Sequence, residues 1–197
     1  MDNSQLIYDV TVWGLISAWI CFAIVFITRK RAAGGAEQKR DSSARIGILL
    51  EAFGYACTWI FRRRNPLLIP EWGDTAGIIL SVAALILAFA SVVFIVRAVK
   101  TLGKQWATAA RIIDHHELIT EGPYRIVRNP IYAGMLGMLI ATGLAVSRLP
   151  AMLAGIALFW IGTLIRVRVE EKLLLATFGE QFEEYKRKVP SLIPGIR

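Results

Sequence analysis

The chain has 197 residues, 55% of them hydrophobic and 19% charged, with a formal net charge of +8. Ordinary soluble domains carry roughly 45 to 50% apolar residues, so this composition argues against a water-soluble domain. The basic excess lies between apolar blocks with no aromatic stacking platform interleaved, which points to membrane topology and anionic lipid and away from nucleic acid.

Residues 6–28 form the first apolar block, interrupted only by Asp9. Its length and the lack of a basic leader fit a retained span better than a cleaved signal. The polar loop 29–45 carries no assignable chemistry. Block 46–61 is shorter and contains Glu51, so it is a candidate to enter the membrane and bend instead of crossing cleanly. Arg62, Arg63 and Arg64 follow it. Cys21 and Cys57 sit inside apolar blocks without metal-ligand spacing and read as small buried hydrophobes.

Residues 76–96 are uncharged, and 131–147 and 150–165 form a pair turning at Arg148, Leu149 and Pro150. A spanning helix needs ~20 apolar residues, with ~17 tolerated. About five spans are therefore expected in a single all-α membrane domain covering 1–197. Lysine and arginine sort accordingly, with 19 of the 23 on one side of such an arrangement and the three consecutive arginines plus Arg148 on the other. The N-terminus is thus expected outside and the C-terminus in the cytoplasm.

Between the third and fourth spans, residues 97–129 are too polar to cross. Beyond the fifth, residues 169–188 place Leu173, Leu174, Phe178, Phe182 and Tyr185 at helical spacing opposite a charged face, with Gly179 as a point of kink or restart. The helical hairpin brings these two polar segments together. A cytoplasmic pocket formed by the loop before the fourth span and the amphipathic C-terminal helix is the expected site.

Arg166 and Glu170 are four residues apart, hence on one helical face, and a guanidinium beside a carboxylate suits a zwitterionic ligand. The alternative is a positive-inside anchor and a solvated helix start. Tyr124, Tyr132 and Trp106 fit an interfacial aromatic belt, and they are also what a sulfonium or ammonium would need. Asn129 and Pro130 suit the N-cap and first turn of the fourth span. His115 and His116 have no further His or Cys beside them, so no metal site is expected.

Taken in order, Trp106, the run His116, Glu117, Leu118 and Ile119, then Gly122, Pro123, Tyr124 and Arg125, then Arg128, Asn129, Pro130, Ile131 and Tyr132, and finally Arg166, Glu170, Glu171, Phe178, Gly179 and Glu180 resemble the isoprenylcysteine carboxyl methyltransferase family. The likeness extends to its prokaryotic members and the related phospholipid methyltransferases, and covers residues 101–190. It implies a methyltransferase dependent on S-adenosylmethionine in the inner membrane of a prokaryote. By position, the cofactor would be lined by His116, Leu118, Ile119, Tyr124, Asn129, Pro130, Tyr132 and Glu170, with Arg166 and Glu171 at the reacting centre. Asn129 stands where the family commonly has histidine, which puts any proton-transfer role there in doubt.

The implied reaction is methyl transfer to a lipophilic acceptor, first an isoprenylcysteine-like or other isoprenoid carboxylate. Phospholipid amines and small thiols or phenols are alternatives. A non-enzymatic transport or lipid-binding scaffold is the competing class, but a transporter should break its helices near the midplane, and the polar residues here gather at one interface.

Overall fold

A computed structural model of the chain describes residues 3–28, 39–40, 44–63, 73–103, 111–112 and 117–196. Among the described residues six helices carry the fold: α1 (Asn3–Thr28), α2 (Ala44–Ile60), α3 (Gly73–Leu102), α4 (Pro130–Val146), α5 (Leu149–Phe178) and α6 (Glu180–Lys188). A 3-10 turn at Gly122–Arg125 precedes α4, and the two-residue strands Lys39–Arg40 and Arg111–Ile112 pair antiparallel.

Among the described residues, three helices, α1, α3 and α5, are long and apolar enough to cross a membrane, and α4 is a shorter apolar helix. Their outward faces expose Trp13, Ile27, Ile79, Ile86 and Ile161, each at least half accessible. Such surfaces would associate in water and are matched to lipid. This is an all-α, multi-helix membrane fold.

Residue pairings give the helix directions. Gly14 meets Leu85 and Phe22 packs near Ile95, so α1 and α3 run parallel; Gly134 and Gly137 meet Ile95 and Ser91, so α3 and α4 are antiparallel. Gly47 faces Gly162 and Gly54 faces Gly155, so α2 and α5 are antiparallel. Gly143 meets Met152 and Tyr132 packs with Val167, so α4 and α5 are antiparallel too, and the first five helices alternate up and down. The core between α1, α3 and α4 is built from Leu15, Ala18, Ala84, Ala88, Val92, Met138, Ala141 and Ala145, mostly small residues that permit close helix approach.

Two expectations change. The segment 46–61 does not bend: α2 is one continuous helix of 17 residues lying along α5, and Glu51 is tolerated because it is buried against charged and polar partners. The fifth span and the amphipathic segment are not separate either. With no glycine or proline between Ile165 and Phe178, α5 continues for 30 residues, about 45 Å, and only Gly179, at φ +52, ends it and restarts the chain as α6.

The arginines after α2 also find a physical reason. Arg63 donates Nη1 to the Leu144 carbonyl at 2.9 Å, and its backbone N–H reaches Val146 O at 3.0 Å. Arg148 N–H returns to Phe61 O at 3.0 Å. A cation on the free carbonyls of a helix C-terminus is favourable, so Arg63 closes one end of the bundle. Arg64 lies outside the described residues.

Candidate active site

At the opposite end, the chain enters α4 through the 3-10 turn. Gly122 adopts φ +55, which a glycine takes without strain, and Pro123 and Tyr124 are buried. Burial pushes the Tyr124 phenol well above its ordinary value, and the neighbouring Glu170 carboxylate adds to the shift, so this hydroxyl stays protonated. Pro130 opens α4 as expected, and Tyr132 in the first turn points toward α5.

The Tyr132 hydroxyl donates to Glu170 Oε1. Arg166, one turn earlier on α5, sets its guanidinium carbon 4.8 Å from the centre of the Tyr132 ring. Its Nη1 donates to Glu51 Oε2 at 2.7 Å, while Nη2 stands 4.0 Å from Glu170 Oε1. Thr163 Oγ1 donates to Glu51 Oε1 at 3.1 Å. Glu51 and Arg166 are only 3% and 9% exposed, so each charge depends on the other to offset the loss of water. The structure thus joins Tyr132, Arg166 and Glu170 as anticipated and adds Glu51 and Thr163.

Glu171 belongs to a different assembly. Its Oε1 receives Arg128 Nε at 3.0 Å and Nη2 at 2.8 Å, and its Oε2 lies 3.8 Å from Lys186 Nζ. Arg128 also donates Nη1 to Lys186 O at 3.2 Å and to Val189 O. Expected at the reacting centre, Glu171 instead makes its contacts away from Arg166 and Glu170: its carboxylate clasps the loop before α4 to the end of α6. One position along a helix turns a side chain by about 100°, enough to send Glu170 and Glu171 to different neighbours.

Asn129 also turns its side chain to the C-terminal segment. It occupies the N-cap position, but its side chain makes no capping bond. Instead Nδ2 donates to Ser191 O at 3.3 Å and Oγ at 3.2 Å, beside backbone bonds from Arg128 N to Pro190 O at 2.8 Å and Asn129 N to Ser191 O at 3.0 Å. Tyr185 Oη reaches Tyr124 O at 2.7 Å, and Leu192 packs with Tyr132 and Val167. The C-terminal segment is thus strapped across the start of α4. Leu118 and Ile119 lie half-buried just before the turn, whereas His116 and Trp106 fall outside the described residues. Among the described residues, no group of three His, Cys, Asp or Glu could hold a metal.

The profile of the phospholipid methyltransferase family matches residues 79–181, from α3 through the start of α6. The chain belongs to this family. Among its relatives, protein-S-isoprenylcysteine O-methyltransferase B of Arabidopsis thaliana is 33% identical over 101 residues, 50% of this chain and 51% of the plant protein. Methanethiol S-methyltransferase 2 of Bradyrhizobium diazoefficiens is 38% identical over 77 residues, 37% of this chain and 27% of the relative. Methanethiol S-methyltransferase of Mycobacterium tuberculosis is 41% identical over 75 residues, 36% and 28%. The matched stretch spans about half the length of the plant relative and less of the two bacterial ones. Tyr124, Tyr132, Arg166, Glu170 and Glu171 fall within the family-matched residues, and Glu51 does not.

Glu51 is the functional candidate that sequence reasoning missed. The available signal was a lone carboxylate inside an apolar block, a position where an ionisable group is costly without a partner.

Proposed function

We propose that the chain is a membrane-embedded methyltransferase that uses S-adenosylmethionine and acts on a lipophilic acceptor at the cytoplasmic ends of α4 and α5. The observation that carries this reading is the cluster of buried Tyr132, Arg166 and Glu51 with the partly exposed Glu170, whose family-matched members sit at one end of the spanning helices.

The residues present fit the cofactor. With both carboxylates ionised, Glu51, Arg166 and Glu170 sum to one negative charge, complementary to the net positive charge of S-adenosylmethionine. When bound, that molecule supplies an electrophilic methyl group on a sulfonium. Glu170, with its side chain 27% exposed, can take an ammonium or ribose hydroxyls. The faces of Tyr124 and Tyr132 can hold a cation, with Leu118, Ile119, Asn129 and Pro130 completing the lining; the part expected of His116 rests on the sequence resemblance alone. Arg166 orients the acceptor with its planar fork, and the strapped tail excludes water. The work of these residues is alignment, because an anionic acceptor needs no general base.

The first acceptor class is the carboxylate of an isoprenylcysteine-like or other isoprenoid molecule. A second reading, transfer to a small thiol or phenol or to a phospholipid amine, is favoured by the direct Glu51 partner of Arg166, which offsets the charge an anionic acceptor would seek. Purified protein supplied with methyl-labelled S-adenosylmethionine and a native lipid extract tests both. A labelled isoprenoid ester supports the first reading and a labelled thioether, ether or amine the second. Failure to label any of these acceptor classes refutes the methyltransferase assignment.

A further inference from the structure

Where α5 carries Thr163 and Arg166, α2 meets it backbone to backbone. A Cβ added at Gly47 would lie 2.7 Å from the Gly162 carbonyl oxygen, and one at Gly162 would lie 2.6 Å from that of Gly47. Contact this close is characteristic of glycine at membrane helix interfaces, and it delivers Glu51, one turn after Gly47, directly onto Arg166. The carboxylate is held on both oxygens, by Thr163 at 3.1 Å and by Arg166 at 2.7 Å.

Arg166 has a competing carboxylate in reach. Glu170 lies four residues on, the ordinary spacing for a helical ion pair. Yet Glu170 Oε1 is 4.0 Å from Nη2, beyond hydrogen-bond distance, and accepts the Tyr132 hydroxyl instead. The nearer carboxylate, Glu51, draws the guanidinium toward α2, and Glu170 keeps a partly exposed carboxylate.

We propose that Glu51 is a positioning residue: by holding Arg166 against α2, it keeps the Glu170 carboxylate available to a cationic ligand. The assignment comes from packing, since Glu51 lies outside the family-matched stretch. It rests on the proposed function only for the identity of that ligand. In Glu51→Gln, Arg166 loses its closest anion, and Glu170, already 4.0 Å away, becomes the nearest carboxylate, so the guanidinium shifts onto it and quenches it.

The test uses the full chain in lipid nanodiscs. In the first arm, without ligand, nitrogen-15 arginine spectra should show separate Nη signals for Arg166, assigned by their loss in Arg166→Lys, and these should shift in Glu51→Gln. In the second arm, titration with S-adenosylmethionine and its demethylated product should give affinity at least about tenfold weaker in Glu51→Gln, equivalent to one charge-assisted contact. Adding Glu51→Gln to Glu170→Gln should weaken binding no further, because both changes act through one carboxylate. Thr163→Val, which keeps the ion pair and removes only the hydroxyl, provides a milder variant should Glu51→Gln fail to fold; a loss of about two- to threefold is expected.

If the wild type binds neither ligand but Glu51→Gln still moves the Arg166 signals, the S-adenosylmethionine reading falls and the positioning of Arg166 stands. Unchanged Arg166 signals with unchanged affinity overturn the proposal. So does a loss of affinity that adds in full to that of Glu170→Gln, since a purely structural Glu51 would produce it.

Discussion

Gly162→Ala places one methyl group where α5 meets α2. Its Cβ would stand 2.6 Å from Gly47 O, 3.0 Å from Leu50 Cβ and 3.1 Å from Glu51 N. Two of these neighbours are backbone atoms, which cannot rotate away. Restoring the 2.6 Å contact to an ordinary 3.4 Å requires the helices to part by about 0.8 Å. The same movement would stretch the 2.7 Å Arg166 to Glu51 bond to about 3.5 Å, the edge of hydrogen bonding. Overpacking costs ~1 to 3 kcal/mol, offset by ~1 kcal/mol from the better helix propensity of alanine. A net loss of ~1 kcal/mol lowers the melting temperature by about 2 to 4 °C in a chain of this size. Thermal unfolding followed by tryptophan fluorescence in detergent measures it. Gly14→Ala is the control: its Cβ would meet the Cδ2 end of Leu85 at 2.8 Å, which can rotate aside, so stability should hold or rise. A Gly162→Ala protein that melts at or above the wild type would refute the backbone contact.

Other outcomes follow from the same geometry. Glu171→Gln removes the anion that Arg128 grips and should expose the C-terminal segment to protease with a stability loss of ~1.5 to 3 kcal/mol; wild-type protection would show that the clasp is idle. Arg166→Lys keeps the charge and loses the planar fork, so turnover should fall ~100-fold with cofactor affinity retained. Wild-type turnover in that variant would return Arg166 to the status of a membrane anchor. Tags placed in the loop 29–45 and at the C-terminus should both report from the cytoplasm, and a tag at Arg148 from the other side; opposite reports from the first two would contradict the alternating helices.

The long apolar helices were legible because hydrophobicity in a bilayer is a matter of length and composition, and Pro130 and Gly179 marked element ends through backbone chemistry that local sequence carries. The pairing of Arg166 with Glu170 on one face was legible from helical spacing. Glu51 was not: its partner is 115 positions away, and only the glycine contacts between α2 and α5 bring the two charges together. The contacts of Arg128, Glu171 and Asn129 were hidden for the same reason, since Lys186, Val189 and Ser191 reach them through the fold of the tail. Helical continuity past Ile165 was obscured because hydropathy changes there while helix propensity does not.

If the carboxylate end of this bundle holds a sulfonium cofactor, as proposed, that ligand must bind the purified protein and depend on Glu170. The decisive measurement is calorimetric titration of the wild type and Glu170→Gln with S-adenosylmethionine and its demethylated product, alongside melting temperatures. Binding of micromolar order is expected in the wild type, with affinity weaker by about tenfold or more in Glu170→Gln and the melting temperature little changed. Absence of both heat and thermal stabilisation with either ligand at saturating protein would contradict the proposal.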